Sequence, residues 1–200
     1  MDKQLTNSID LIKNKNIYIS FDTFMFQMLQ KSSLWKVFKV FLEDPTGKHQ
    51  IRKISKKINL ATTSVKKHID ELIKEKLVIE DKDIFKFYKS NFENKKFRFY
   101  KKINSLEIIE NSGILDYIEN KTGCETIYLF GSLAKGEDTI DSDIDFYVQA
   151  TEQNLDLQKY EKKINKKIQL FFSEDINEIP KELRNNILNG IKLRGFNKIF

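Results

Sequence analysis

Two aspartates, separated by one residue, give the strongest chemical signal in this 200-residue chain. Asp143 and Asp145 belong to the apolar segment DIDFYV, which predicts a β-strand with both carboxylates on one face. Two carboxylates at that spacing repel each other unless a cation lies between them, and hard oxygen ligands suit Mg²⁺. A second apolar segment, ETIYLF, ends at Gly131-Ser132, eleven residues before Asp143. A glycine permits close approach of the backbone, and a serine hydroxyl with the free N–H groups of a helix start can bind phosphate. The residues therefore predict metal-assisted chemistry on a phosphate-bearing ligand.

The segment that contains both features, LFGSLAKGEDTIDSDIDFYV, runs from Leu129 to Val148. It resembles the nucleotidyltransferase superfamily that includes DNA polymerase β, and within it the minimal nucleotidyltransferases of archaea and bacteria. The resemblance covers roughly residues 105–195 and carries a specific set of motif matches: Gly131, Ser132, Gly136, Ser142, Asp143 and Asp145.

The resemblance implies a role for each matched position. Gly131 and Ser132 would bind a nucleoside triphosphate, and Asp143 and Asp145 would be the catalytic metal ligands for two Mg²⁺ ions. Lys135 is a further candidate for a phosphate contact, with a surface helix lysine as the alternative interpretation.

A third carboxylate is normally supplied in this family by the next strand. The predicted strand KIQLFF has Gln169 at that position, and an amide lacks the negative charge that activates an attacking hydroxyl or completes a second metal site. Glu174 and Asp175 follow too far along the chain for the same role without a bend. These residues therefore support nucleotide and metal binding better than they support turnover.

Helices and strands alternate around these residues, which predicts an α/β (α+β) domain with a small mixed sheet over residues 105–200. Ser105 is predicted to cap a helix that reaches about Asn120. The further predicted elements are strands at 125–130, 143–148, 167–172 and 191–193, and helices at 155–165 and 180–188.

The preceding residues, 31–104, predict a winged helix-turn-helix domain. Helical spacing of apolar residues predicts one helix that Ser33 caps, a second at 51–58 and a third that Thr62 or Thr63 caps. Two runs of aromatics and lysines, at 84–88 and 97–103 around the polar loop 90–96, predict a β-hairpin. This order resembles the winged-helix domains of archaeal transcriptional regulators. Residues 1–30 form an N-terminal extension of uncertain structure.

The third helix is the predicted recognition helix of this domain, and the hairpin loop would reach the neighbouring groove or backbone of DNA. The predicted DNA-binding residues are Thr62, Thr63, Ser64, Lys66, Lys67, Lys95 and Lys96. The alternatives are that these lysines form a solvated face, or that the module docks proteins or forms a homodimer.

Charge is unevenly distributed along the chain. Residues 1–104 carry 23 Lys and Arg against 12 Asp and Glu, whereas residues 105–200 carry 12 against 17, for a total of +6. A basic half favours a polyanionic partner such as DNA. One cysteine and two histidines exclude a disulfide framework and His- or Cys-rich metal sites. The absence of a long apolar run and of a signal-peptide pattern predicts a cytoplasmic protein without a membrane partner.

Two functions follow from the sequence. The first is a metal-dependent nucleotidyltransferase that moves a nucleoside monophosphate from a nucleoside triphosphate to an unknown acceptor (protein, small molecule or nucleic acid), with a DNA-binding winged helix. The second is a winged-helix transcriptional regulator or antitoxin whose transferase-like domain binds nucleotide without turnover. Because some relatives in the resembled class modify tyrosines of a HEPN-type toxin, such a toxin is a candidate partner and acceptor.

Overall fold

The computed structural model describes residues 32–82 and 86–195, which divide into two compact units with a boundary between Asn104 and Ser105. Its helices and two small sheets confirm the predicted mixed α/β class. The predicted extension of residues 1–30 lies outside the described residues. Among the described helices, none combines the length and the apolar character needed to cross a membrane.

The first unit contains three helices and a two-stranded antiparallel sheet. Its elements are α1 (Ser33–Glu43), α2 (Ile51–Ile58), α3 (Thr62–Lys74), β1 (Val78–Lys82) and β2 (Lys86–Ser90). The Ser32 hydroxyl accepts a hydrogen bond from the Trp35 N–H at 3.1 Å, so the cap of α1 lies one residue before the predicted Ser33. The N-cap of α3 is Ala61, and the prediction of a threonine cap is therefore wrong.

The predicted β-hairpin arm at residues 97–103 is wrong, because these residues belong to the long helix α4 (Lys95–Ser112). The observed hairpin pairs β1 with β2, from Val78 with Ser90 to Lys82 with Lys86. Its connecting residues 83–85 lie outside the described part of the chain. Lys95 and Lys96 consequently lie in the first turn of α4 rather than in a hairpin loop.

Residues 97–103 form a helix because two of their aromatic side chains, spaced three apart, lie on one helical face. The alternate spacing of other aromatics and lysines in the same segment suggested a strand instead. Phe97 is fully buried and Tyr100, three residues later, lies on the same side of the helix. Both rings pack edge to face against Phe38 of α1, with centroid separations of 5.9 and 5.4 Å. The Asn94 side chain accepts a hydrogen bond from the Lys96 N–H at 2.8 Å and so marks the start of the helix.

The described residues from Ser105 to Gly195 form a second unit around a four-stranded sheet, and the small mixed sheet predicted for the C-terminal part is confirmed. Beyond the end of α4, its elements are α5 (Ile114–Thr122), β3 (Thr126–Phe130), α6 (Gly131–Lys135), β4 (Ile144–Val148), α7 (Gln158–Ile164), β5 (Ile168–Phe172), a 3₁₀ turn (Ile176–Glu178), α8 (Lys181–Leu188) and β6 (Ile191–Gly195). The strand order is β5-β4-β3-β6, with β4 and β5 parallel and the other pairs antiparallel. Ser105 lies inside α4 and caps no helix, and Gly113, at φ +80°, separates α4 from α5.

Both faces of this sheet are covered by apolar residues. One cluster contains Ile144, Phe146 and Val148 of β4, and the other contains Tyr147 of the same strand. Successive side chains of a strand point to opposite faces, so Asp145 and Tyr147 share one face of β4. Asp145 is the one charged residue of this strand and the one that is only partly buried. The sheet therefore presents this carboxylate on a rigid scaffold.

Candidate active site at one edge of the sheet

The predicted phosphate-binding and metal-binding residues meet at one edge of the four-stranded sheet. β3 ends at Phe130, which pairs with Asp145 of the antiparallel β4. β5 runs parallel to β4, and Asp145 pairs with Gln169 on its other side. The carboxyl end of β3 and the amino ends of β4 and β5 thus bring Gly131, Asp143 and Gln169 to the same edge.

Gly131 directly follows β3 and adopts the left-handed conformation, with φ +71°. A Cβ atom built at this position would overlap the Asp145 Oδ2. Only glycine allows both the backbone turn and this close approach of the carboxylate. Ser132 follows in the single-turn helix α6, which Gly136 caps at its C-terminus. The Ser132 carbonyl accepts a hydrogen bond from the Glu137 N–H at 2.9 Å. Lys135 is exposed on the same turn.

Asp143 and Asp145 are close enough for their charges to interact. Burial raises the pKa of Asp145 above its ordinary value, and the negative charge of Asp143 raises it further. Both side chains are partly buried, while Ile144 between them is fully buried on the opposite face. A cation bound between the two carboxylates would offset their repulsion and so stabilise the charged form of Asp145.

Gln169 is the third side chain at this edge. Its Nε2 donates a hydrogen bond to Asp143 Oδ2 at 2.6 Å. A rotation of the amide by half a turn would present its carbonyl oxygen to the same region instead. Within the described residues, no group of three His, Cys, Asp or Glu side chains is placed to hold a metal ion. A cation here would therefore take two carboxylates and an amide oxygen from the protein.

Sequence reasoning missed the side chains that hold the loop between Gly136 and Asp143. Lys166, which lies between α7 and β5, contacts two backbone carbonyls of this loop and the buried carboxylate of Asp138 within it. The contact joins residues more than 20 positions apart and has no local sequence signal. Lys166 stands immediately before a predicted strand, a position that gives no reason to expect a contact with this loop.

The predicted DNA-binding residues fall into two separate groups of the first unit. Thr62, Thr63 and Lys67 are exposed at the start of α3, while Ser64 and Lys66 are partly buried there. Lys66 forms an ion pair with Asp70 one turn later.

The other group lies at the opposite end of α3. Lys96 donates to Glu75, at the C-terminal end of α3, with an Nζ–Oε2 distance of 2.5 Å. The rise of a helix places that end roughly 20 Å from Thr62. The prediction that Lys95 and Lys96 lie in a hairpin loop is wrong, because both belong to α4, and their contact with DNA stays a prediction.

The comparisons with known proteins bear on the second unit. Residues 112–195 match a family model described as Polymerase beta, Nucleotidyltransferase, and this range contains Gly131, Ser132, Asp143 and Asp145. No curated protein and no solved structure gave a significant match to the chain. The matched range begins at the end of α4 and closes with β6, so it includes the whole four-stranded sheet and its edge site. The C-terminal part of this chain therefore contains a nucleotidyltransferase domain.

Proposed function

We propose that this domain transfers a nucleoside monophosphate from a nucleoside triphosphate to an acceptor hydroxyl with the help of a divalent cation. The acceptor oxygen bonds to the α-phosphorus, the bond to the β-phosphate breaks, pyrophosphate leaves, and the hydroxyl proton passes to water. The observation that carries the proposal is the convergence of the Gly131-Ser132 turn with Asp143 and Asp145 at one sheet edge. The turn leaves backbone N–H groups and the Ser132 hydroxyl available to phosphate oxygens. The carboxylates stand next to that turn, where a bound triphosphate would need charge compensation.

The residues at this edge fit Mg²⁺. Mg²⁺ is commonly held by one or two carboxylates together with substrate phosphates and water, so two aspartates suffice for one ion. The raised pKa of Asp145 reflects burial and repulsion from Asp143, both of which a cation would offset. When bound, the ion supplies charge stabilisation on the reacting phosphate. Asp143 and Asp145 would hold and orient the ion, while Gly131 and Ser132 would orient the triphosphate. A second Mg²⁺ ion is less well supported, because Gln169 supplies no third charge.

The test is transfer of label from each nucleoside triphosphate, labelled at the α-phosphate, with Mg²⁺ and separate pools of protein, RNA and small-molecule acceptors. A purified HEPN-type toxin belongs among the protein acceptors. We expect label on one pool, lost in Asp143→Asn and Asp145→Asn and retained in Asp141→Asn, an exposed aspartate of the neighbouring loop. Nucleotide binding without transfer to any pool would favour the non-catalytic alternative. Absence of both would refute the proposal.

A second candidate function, DNA binding by the first unit, rests on the amphipathic character of α3, which has one buried apolar face and one exposed polar face. Val65, Ile69 and Leu72 are buried on its inner face, whereas Thr62 and Lys67 are exposed. A helix with hydroxyls and lysines at its exposed start is suited to phosphate and base contacts in a major groove. Together with the two preceding helices and the β1–β2 hairpin, this supports the winged helix-turn-helix interpretation of residues 31–104.

The DNA-binding hypothesis is tested by the salt dependence of duplex binding. For Lys67→Ala, we expect the slope of log K against log[salt] to fall by about one in magnitude for each lost phosphate contact. Lys74→Ala removes the same charge from the other end of α3 and serves as the matched control. Equal effects of the two substitutions would contradict a recognition role for the start of this helix.

A further inference from the structure

The loop that delivers Asp143 to the site has its own internal turn. The Thr139 N–H donates to the Ser142 hydroxyl at 2.9 Å, and the Ser142 N–H donates back to the Thr139 carbonyl at 3.3 Å. Neither bond ties the loop to the rest of the domain. Because Asp143 immediately follows Ser142, the place of this turn determines where the Asp143 carboxylate lies.

Lys166 supplies the anchor. Its Nζ donates to the Thr139 carbonyl at 2.5 Å and to the Ser142 carbonyl at 3.1 Å. The same ammonium lies 3.5 Å from Oδ2 of Asp138, whose side chain is only 2% exposed. An ammonium group has three N–H donors, and three oxygen atoms of one loop surround this one. Lys166 itself is 16% exposed, so water screens these interactions weakly.

The backbone next to Lys166 is joined to the same aspartate segment. The Ile144 N–H donates to the Lys167 carbonyl at 2.8 Å, and the parallel pairing of β4 with β5 begins at Ile144 and Ile168. Lys166 therefore contacts the loop on one side of Asp143 while its neighbour holds the strand on the other side. The two contacts together fix both ends of the Asp143 backbone.

We propose that Lys166 is a positioning residue, which holds the 138–142 loop so that Asp143 remains beside Asp145 for cation binding. This inference rests on the proposed function. The anchor has a physical purpose, because two aspartates that repel each other would otherwise move apart whenever no cation is bound. Since its N–H groups are directed at the loop, Lys166 acts through Asp143 and not by binding phosphate itself.

The test compares Lys166→Met with Lys166→Arg in the full chain, using Mn²⁺ alone as the probe. Loss of a residue that orients a metal ligand typically weakens metal binding by about 10–100-fold, and we expect this loss in Lys166→Met. Lys166→Arg, which keeps the charge and the donors, should recover most of it. Lys162→Met removes the same charge from an exposed position at the end of α7 and should leave Mn²⁺ affinity unchanged.

Amide hydrogen exchange of residues 138–144, measured on the same proteins, separates the possible results. We expect faster exchange of this segment in Lys166→Met and wild-type exchange in Lys162→Met. Faster exchange with unchanged Mn²⁺ affinity, or unchanged exchange in Lys166→Met, would overturn the positioning role. If the wild type itself binds neither Mn²⁺ nor nucleotide, the proposed function fails, and the exchange comparison still shows whether Lys166 orders the loop.

Discussion

Replacing Gln169 by glutamate tests whether the edge of the sheet is a cation site with one charge too few. The substitution keeps the length of the side chain and puts a carboxylate where Nε2 now donates to Asp143 Oδ2 at 2.6 Å. Without metal, it therefore exchanges an attractive contact for a repulsive one. With metal, it adds a third negatively charged ligand from the strand that pairs with Asp145.

The magnitude follows from the geometry. Two unit charges about 4 Å apart interact by about 1 kcal/mol in water and by about 4 kcal/mol at an effective dielectric constant of about 20. Gln169 is exposed, so the lower end applies, and the metal-free protein should lose about 1–2 kcal/mol of stability. A cation that recovers a similar energy from the added charge would bind about tenfold more tightly, since tenfold corresponds to about 1.4 kcal/mol.

Titration calorimetry with Mn²⁺, paired with thermal unfolding at rising Mn²⁺ concentration, measures both effects. Gln169→Glu should lower the unfolding temperature without Mn²⁺ and bring it back to about that of the wild type at saturating Mn²⁺, because the gain from tenfold tighter binding is similar to the loss of stability. Gln169→Ala separates loss of the amide from gain of the charge, and Gln149→Glu adds the same charge just beyond the other end of β4. If Gln169→Glu binds Mn²⁺ no more tightly than Gln169→Ala, the edge is not a cation site of the proposed kind.

Three further substitutions test other parts of the fold and the site. Gly131→Ala should abolish nucleotide binding by equilibrium dialysis and lower the unfolding temperature, since its Cβ would overlap the Asp145 carboxylate at a strained φ. Because the pKa of Asp145 is raised on folding, its charge destabilises the metal-free protein at neutral pH, and this cost disappears as the pH falls below the raised pKa. Asp145→Asn should therefore be the more stable protein at neutral pH in denaturant titrations with chelator, and a gain that persists unchanged in acid would contradict this. Phe97→Ala should cost about 3–5 kcal/mol in the same titrations, and the partly exposed Phe99→Ala clearly less.

The comparison of Phe97 with Phe99 also shows where the sequence was ambiguous. The segment FRFYKKI has aromatics at alternate positions, which is the strand period, and at positions three apart, which is part of the helix period. Burial of Phe97 and Tyr100 against Phe38 favours the helix, and this contact is tertiary. Local pattern alone could therefore not choose between the two. By contrast, the second helix was predicted with its observed bounds, 51–58, because apolar residues define one face without competition.

The residues of the edge site were easier to identify from the sequence than the helical state of residues 97–103. Gly131 follows one short apolar run and Asp143 opens the next, and the antiparallel pairing of these two strands brings the end of β3 and the start of β4 to one edge. The family resemblance singled out Gln169 on the next strand, but its register opposite Asp145 is set by the parallel pairing of β4 with β5, which no local pattern specifies. The anchor from Lys166 could not be predicted, because its partners are backbone carbonyls, which every residue carries.

The positive charge of the first unit is less available to a polyanion than its count suggests. Lys57, Lys66 and Lys96 each have a carboxylate partner on the surface. A paired lysine must give up its carboxylate before it neutralises a phosphate, so it contributes less to counterion release than an exposed one. DNA affinity should consequently be concentrated in exposed cations of α2 and the start of α3, such as Arg52 and Lys67. Under the proposed function the relation is reversed in the second unit, because two negatively charged aspartates would need a cation before phosphate could approach them. The two units would thus recognise phosphate by opposite means, one directly and the other through a metal ion.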